Sequence, residues 1–150
     1  MADISALLQQ PETDVWTTPA WLFHALNVEF GFTLDPCCDG PGNARCSKFY
    51  TPQENGLLRS WGTDVVFMNP PYSQIEVWMR KAYGAAQEGA TVVCLVPART
   101  DTFWWHEYVM KGEVRLLRGR LKFGDAENNA PFPSAIAIFR PTTFKLVSYG

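Results

Sequence analysis

Apolar and polar residues alternate along this chain in blocks that predict strands and helices in turn. Three short apolar runs, at 64–68, 91–96 and 134–139, predict buried strands. Between the first two runs, apolar residues recur at helical spacing from Ile75 to Ala86, which predicts an amphipathic helix that ends near Gly89. The pattern therefore indicates helices placed between the strands of one sheet.

The N-terminal third carries weaker elements. Thr18 and Pro19 precede an apolar helical pattern, which predicts a helix with the threonine hydroxyl as its cap and Gly31 at its end. Short strands are predicted at 32–34 and 47–50. The first of these strands stops where Asp35 and Pro36 begin a polar loop.

The C-terminal half predicts one more helix and a set of closely spaced strands. The helix is expected over 101–110, and strands are expected over 113–117, 120–123 and 134–139. Strands that alternate with helices indicate an α/β sandwich with a mostly parallel sheet. The last strands leave no room for a crossover helix, so at least one closing strand should be antiparallel.

Three polar segments follow predicted strands: 35–42, 69–73 and 97–102. In open α/β sheets, ligands bind beyond the carboxyl ends of the strands. We therefore expect these segments to converge on one cleft.

Length and composition suit a single domain. The 150 residues are 47% hydrophobic and 19% charged, which is typical of a globular chain with one core. No apolar run approaches the roughly 18 residues of a membrane span, and no signal peptide is recognised at the start, so a cytoplasmic protein with no membrane partner is expected. The four cysteines form no CxxC pair and lack histidines at zinc spacing, so no metal site is predicted.

The net charge of −2 argues mildly against nucleic-acid binding, whose footprint is usually basic. One local run is basic nonetheless, with a single acid among five cations: Lys111, Arg115, Arg118, Arg120 and Lys122. Taken alone, such a run is more often a solvated face. Its meaning depends on the chemistry predicted elsewhere.

The segment Asn69-Pro70-Pro71-Tyr72 carries that chemistry. Two prolines remove two backbone donors, so the segment presents acceptors: the Asn69 side-chain oxygen and the Pro70 carbonyl. Two acceptors suit an NH2 group, which has two hydrogens to donate. Tyr72 adds a flat face on which a planar substrate could stack. A proline-rich turn is the alternative for an isolated tetrapeptide, but its position directly after a strand favours function.

These residues resemble motif IV of amino-group methyltransferases, which modify bases or glutamine amides. Further blocks, in the same order over roughly residues 14–140, resemble phage-type N6-adenine DNA methyltransferases of the Dam-like family. The blocks are Asp14–Pro19, Leu34–Asp39 with Asn43–Cys46, Pro97–Thr102 with Trp104, and Gly119–Phe123. The resemblance implies a Rossmann-like methyltransferase sandwich over 14–150. Along the chain, residues 1–13 are expected to form a loose leader, and in 150 residues no separate target-recognition domain is expected.

The resemblance also implies the cofactor, S-adenosylmethionine, and the residues that would bind it. They are Trp16, Thr17, Thr18, Pro19, Asp35, Pro36, Cys37 and Asn55. Asp35 and Pro36 would face the methionine part, since an anionic loop suits an ammonium group. Glu54 is a candidate for the ribose contact. Asn69, Pro70, Pro71 and Tyr72 would hold the target adenine.

Double-stranded DNA is the implied partner, and an enzyme that modifies a base must extrude it and hold the flanking backbone. Arg99, Arg115, Arg118, Arg120 and Lys122 are the expected DNA contacts. The loop 124–133 is the one insert large enough to assist recognition, and a homodimer is left open. Of Trp104 and Trp105, one is expected in the core and the other facing DNA. His106 is a further candidate near the substrate, and Asp101 a candidate cap of the helix that follows.

Two alternatives remain open from the sequence. The same acceptor pair would serve a methyltransferase for an RNA base or a protein glutamine. The weak glycine pattern after Asp35 and the acidic balance would also suit a non-catalytic binding subunit, against which the intact Asn69–Tyr72 segment argues.

Overall fold

The computed structural model describes residues 16–142 and 148–149. The predicted leader, 1–13, lies outside the described residues. The helices and strands, in chain order, are α1 (Ala20–Phe30), β1 (Leu34–Asp35), β2 (Lys48–Phe49), β3 (Val65–Met68), α2 (Ile75–Gln87), β4 (Thr91–Pro97), α3 (Phe103–Glu107), β5 (Glu113–Leu116) and β6 (Ser134–Phe139). Four short 3-10 turns lie between them, at Pro41–Asn43, Gly56–Leu58, Tyr72–Gln74 and Val109–Lys111.

The strands form one six-stranded sheet in the order β2-β1-β3-β4-β6-β5. The neighbours β2-β1, β1-β3 and β3-β4 are parallel, whereas β6 is antiparallel to both β4 and β5. The mostly parallel sheet with an antiparallel closing strand is thus confirmed. The arrangement is that of a Rossmann-like α/β sandwich.

Helices and loops cover both faces of the sheet, which explains why β4 is apolar from Val92 to its end. Val92, Cys94 and Val96 pack on the side of α2 and α3, in a cluster that includes Trp78 and Trp104. The alternate residues Val93 and Leu95 pack on the side of α1, with Leu22 and Phe132. A strand buried on both faces loses the polar alternation of a half-exposed one.

The strand predicted over 120–123 is wrong. Leu121 and Phe123 are buried, but the segment is a loop whose Leu121 carbonyl accepts the Ala130 amide at 2.7 Å. The alternating apolar residues serve to pack this loop against Phe132 and the α1 side of the core. Periodicity shows burial here but not sheet pairing.

Two predicted helix caps are also wrong. Pro19, not Thr18, is the N-cap of α1, which has no side-chain cap. Thr102, not Asp101, caps α3, since its hydroxyl accepts the Trp105 amide at 3.4 Å. α3 is therefore shorter than the predicted 101–110 and gives way to the turn Val109–Lys111.

Candidate active site

A deep cleft lies where the carboxyl ends of β1 and β3 meet. From β1 the chain continues to β2 on one side of the sheet, and it then crosses to β3 and β4 on the other side. The strand order therefore reverses between β1 and β3, and such a switch point is where α/β sheets bind ligands. The cavity holds about 580 Å³. Most of the residues predicted from the sequence line it: Trp16, Thr17, Thr18, Asp35, Pro36, Cys37, Asn55, Asn69 and Pro71. Pro19 and Pro70 are buried beside it.

Asn69 directly follows β3, and its amide is held in one orientation. The Nδ2 group donates to the Trp16 carbonyl and, at 3.0 Å, to the Thr18 hydroxyl. A carbonyl cannot donate in return, so the nitrogen must face Trp16 and the oxygen must face away. The Asn69 Oδ1 atom is buried and has no hydrogen-bond partner among the described residues. The site therefore contains an acceptor oxygen whose direction is fixed and for which the described residues provide no donor.

Tyr72 does not present the open face that the sequence predicted. Its ring lies nearly parallel to that of Trp16, with centroids 6.2 Å apart, and meets the Phe132 ring edge-on at 5.7 Å. Burial raises the pKa of the Tyr72 hydroxyl, which stays protonated. That hydroxyl has no hydrogen-bond partner in the described part of the chain. Trp16, Tyr72 and Phe132 thus form an aromatic wall beside Asn69.

Asp35 shapes the loop that closes the other side of the cleft. Its carboxylate is 5% exposed and accepts the Arg45 amide at 2.9 Å, and burial raises its pKa. The Arg45 guanidinium in turn donates to the Thr18 carbonyl at 2.7 Å. Arg45 was not predicted as a site residue, because only the folded loop brings it to Thr18. Burial also raises the pKa of the Cys37 thiol, which remains neutral.

The segment Asn55-Gly56-Leu57 packs directly on this loop. A Cβ atom on Gly56 would lie 2.0 Å from the Pro36 carbonyl oxygen, so only glycine fits. Asn55 adopts a left-handed conformation, with φ 53°, and its side chain accepts the Leu57 amide at 3.2 Å. These contacts set the width of the cleft between Pro36 and Leu57.

Glu54 does not line the cleft. Its carboxylate accepts the Thr51 hydroxyl at 2.9 Å, and Thr51 is the residue that faces the cavity. Thr51, backed by this acid, thus takes the place in the lining that Glu54 was expected to fill. The sequence pattern alone did not identify Thr51.

The third predicted segment, 97–102, lies beside the cleft and not in its lining. Arg99 reaches the aromatic wall, with its guanidinium 5.8 Å from the Phe132 ring centre. His106 is hydrogen-bonded to the Thr100 carbonyl at 2.7 Å, so its contact in this structure is with the Arg99 loop. Trp104 and Trp105 are both buried, so the prediction that one of them faces DNA is wrong.

The basic run divides into two groups. The Arg115 guanidinium bonds both oxygens of Glu29, at 2.5 and 2.8 Å, and also reaches Glu113 at 3.1 Å. Its charge is therefore matched within the protein. Arg118, Arg120 and Lys122 are exposed and form no salt bridge among the residues that the structure describes. They follow the carboxyl end of β5, on the same edge of the sheet as the cleft.

The loop 124–133 begins at the cleft. The Gly124 amide donates to the Thr17 carbonyl at 2.9 Å, and residues 124–129 are exposed. The loop returns to the sheet where the Ala98 amide donates to the Pro133 carbonyl at 2.8 Å. An exposed segment anchored at both ends is thus held against the rim of the cleft.

No group of three or more His, Cys, Asp or Glu side chains among the described residues could hold a metal ion. No helix in that part of the chain is long and apolar enough to cross a membrane.

Known proteins resemble this chain along most of its length. The DNA N-6-adenine-methyltransferase of Haemophilus phage HP1 (strain HP1c1) is 28% identical over 143 residues, covering 89% of this chain and 82% of that protein. The DNA N-6-adenine-methyltransferase of Escherichia phage T1 is 33% identical over 96 residues, covering 63% of this chain and 40% of that protein. Residues 5–144 match the sequence pattern of the DNA N-6-adenine-methyltransferase (Dam) family. The chain therefore belongs to this family of adenine-specific DNA methyltransferases.

Proposed function

We propose that the protein transfers a methyl group from S-adenosylmethionine to N6 of an adenine that has been rotated out of a DNA duplex. One observation carries the proposal: the Asn69 Oδ1 atom is a buried acceptor whose orientation is fixed and whose donor is missing among the described residues. A buried polar atom without a partner is costly, by about 1–3 kcal/mol, and is retained where a ligand supplies the partner.

An exocyclic amine fits this acceptor. It has two N–H donors, one for Asn69 Oδ1 and one for the Pro70 carbonyl. Two hydrogen bonds directed out of the ring plane would pull the nitrogen out of conjugation and expose its lone pair. Pro70 and Pro71 contribute by leaving no backbone donor to compete for the acceptors. Family membership favours adenine in DNA over the RNA base or glutamine that the same chemistry would allow.

The cleft beside Asn69 suits the methyl donor. Its volume of about 580 Å³ is that of a pocket for a drug-sized ligand. Carboxylates from Asp35 and Asp39 suit the positive charges of S-adenosylmethionine, and apolar surface from Leu57 and Trp78 suits its adenine ring. When bound, the cofactor supplies a methyl group on a sulfonium. The residues proposed to hold it are Trp16, Thr17, Thr18, Asp35, Pro36, Cys37 and Asn55, with Pro19 supporting them from the start of α1.

DNA would approach across the aromatic wall and the basic rim. Arg99 stands over Phe132. Arg118, Arg120 and Lys122 form no salt bridge with the residues that the structure describes, and their charges suit phosphates. Tyr72 would stack on the rotated adenine after its ring separates from Trp16. We further propose that residues 14–150 act as one methyltransferase domain. The similarity to phage proteins favours the cytoplasm of a host cell as its location. The loop 124–133, or a second copy of the chain, would complete recognition.

Product analysis tests the proposal. The protein is incubated with methyl-labelled S-adenosylmethionine and, in separate reactions, duplex DNA of varied sequence, RNA and a glutamine-containing protein mixture. N6-methyladenine in the DNA, and no label in the other two, is the expected result. Label in RNA or in glutamine would overturn the choice of substrate, and no label anywhere would overturn the activity.

A further inference from the structure

The carbonyl of Trp16 and the hydroxyl of Thr18 take both hydrogens of the Asn69 amide. This contact joins residues 51 and 53 positions apart in the chain. It is the reason that Asn69 Oδ1, and not Nδ2, is left without a partner. The proposed reaction needs an acceptor at this point, and this contact determines that Asn69 offers an acceptor and not a donor.

We propose that Thr18 is a positioning residue for methyl transfer, which acts by holding the Asn69 amide with its oxygen toward the target amine. Thr18 was expected among the cofactor contacts, and the geometry gives it this second task. The inference rests on the proposed function, because it matters only if Asn69 holds the target amine.

The surroundings of Thr18 support this role. Thr18 is 4% exposed, so water is a poor substitute for its hydroxyl. Its carbonyl is fixed by the Arg45 guanidinium at 2.7 Å, and the Arg45 amide is fixed by Asp35 at 2.9 Å. A continuous set of hydrogen bonds thus runs from Asp35, at the start of the loop after β1, to Asn69. The threonine cannot shift without breaking one of them.

An amide rotated by half a turn would be the competing state. Its oxygen would face the Trp16 carbonyl, which repels it, and its nitrogen would face the target amine, which cannot accept. Thr18 alone does not exclude that state, since a hydroxyl can also donate. Its hydroxyl oxygen is a second acceptor beside the Trp16 carbonyl. It can accept from Asn69 Nδ2 only while that nitrogen faces Trp16 and gives its other hydrogen to the Trp16 carbonyl.

The test compares Thr18→Val with Thr18→Ser. Valine keeps the shape and removes the acceptor, whereas serine keeps the acceptor. Thr18→Val should lower kcat about threefold to tenfold, the rate equivalent of one neutral hydrogen bond. Valine keeps the backbone and a methyl group of Thr18, through which it would contact the cofactor, and changes only the hydroxyl that bonds Asn69. The dissociation constant of S-adenosylmethionine, measured by calorimetry, should therefore stay within about twofold, which is the effect of half a kcal/mol. Thr18→Ser should return kcat close to that of the natural protein.

Three controls make the outcome decisive. Thr63→Val makes the same change at an exposed turn far from the cleft and should leave kcat unchanged. Circular dichroism and the melting temperature show whether each variant folds, and if Thr18→Val does not fold, Thr18→Ala takes its place. Asn69→Ala is assayed in parallel to test the proposed function by itself.

The possible failures are distinguishable. If Asn69→Ala is inactive but Thr18→Val keeps its full kcat, the positioning role is overturned and the proposed function stands. If Thr18→Val instead weakens cofactor binding at constant kcat, Thr18 acts on the cofactor and the inference is likewise overturned. If Asn69→Ala still methylates DNA, the proposed function itself is overturned, and the inference with it.

Discussion

The cleft at Asn69 and the rim from Arg118 to Lys122 both face the proposed substrate, yet their side chains are held very differently. In the cleft, both hydrogens of the Asn69 amide are bonded, and the oxygen is left in one direction. At the rim, Arg118, Arg120 and Lys122 are exposed and form no salt bridge in the described part of the chain.

We expect the cleft to act through the exact position of its groups and the rim to act through its charge. A preset acceptor gains its value from position, so a displacement of a few tenths of an ångström matters. Water and salt screen the attraction between exposed cations and phosphates, so the contribution of each cation to DNA affinity is modest and nearly independent of the others. We therefore expect changes in the cleft to act steeply and changes at the rim to act in small increments.

Gly56→Ala should have a large effect on cofactor binding in the cleft. The added Cβ would meet the Pro36 carbonyl oxygen at 2.0 Å, so the loop that begins at Asp35 must move. Overpacking of this kind costs about 1–3 kcal/mol, which corresponds to roughly a tenfold to hundredfold loss of S-adenosylmethionine affinity. Calorimetric titration measures it. Gly84→Ala, in α2 with no atom within 4 Å of the new Cβ, is the matched control and should bind the cofactor normally. Normal binding by Gly56→Ala would mean that this contact does not set the cleft.

Removing rim charges should have a smaller effect. Arg118→Ala combined with Arg120→Ala should weaken duplex binding about tenfold at low salt and make the slope of log affinity against log salt shallower by about two. Fluorescence anisotropy at several salt concentrations measures both. Arg115→Ala should leave the slope unchanged, since that guanidinium is already bonded to Glu29. A slope change of about one for Arg115→Ala would mean that it contacts DNA, and no change for the double variant would make the rim a solvated face.

Cys46→Ser should have the smallest effect. Burial raises the pKa of the Cys46 thiol to about 11, so the thiol is protonated and unreactive between pH 7 and 9. The thiolate forms only as the pH rises toward 11. Methyl-transfer rates of the variant should stay within about twofold of the natural protein, as for a substitution away from the chemistry. The two pH profiles should superimpose, and a rise between pH 7 and 9 that only the natural protein shows would assign the thiol a role.

The sheet and the position of Asn69 could be predicted because both depend on local patterns. The run at 134–139 became β6 with the same bounds, and β3 and β4 differ from prediction by one residue. Asn69 follows β3 directly, so finding the strand also placed the asparagine at its carboxyl end. The supposed strand at 120–123 failed because Leu121 and Phe123 alternate to fill a loop core, which has the same sequence pattern as a strand.

The hydrogen bonds that hold the site residues in place could not be predicted, because they join distant parts of the chain. Nothing near Thr18 in the sequence indicates that its hydroxyl bonds Asn69 instead of capping α1. Arg45 and Thr51 also gain their places from the folded loop. The same limit applies to Arg115, whose partner Glu29 lies 86 residues away.

Single-turnover methyl transfer by Asn69→Ala tests the central claim most directly. The variant and the natural protein are loaded with labelled S-adenosylmethionine and mixed with duplex DNA, and the cofactor dissociation constant is measured on the same samples. Loss of an acceptor that acts on the reacting amine should slow transfer by about a hundredfold or more, as for the removal of one preorganised catalytic group. Cofactor binding should stay within about twofold, the effect of half a kcal/mol. Transfer at the natural rate, or an equal loss of transfer and cofactor binding, would contradict the account.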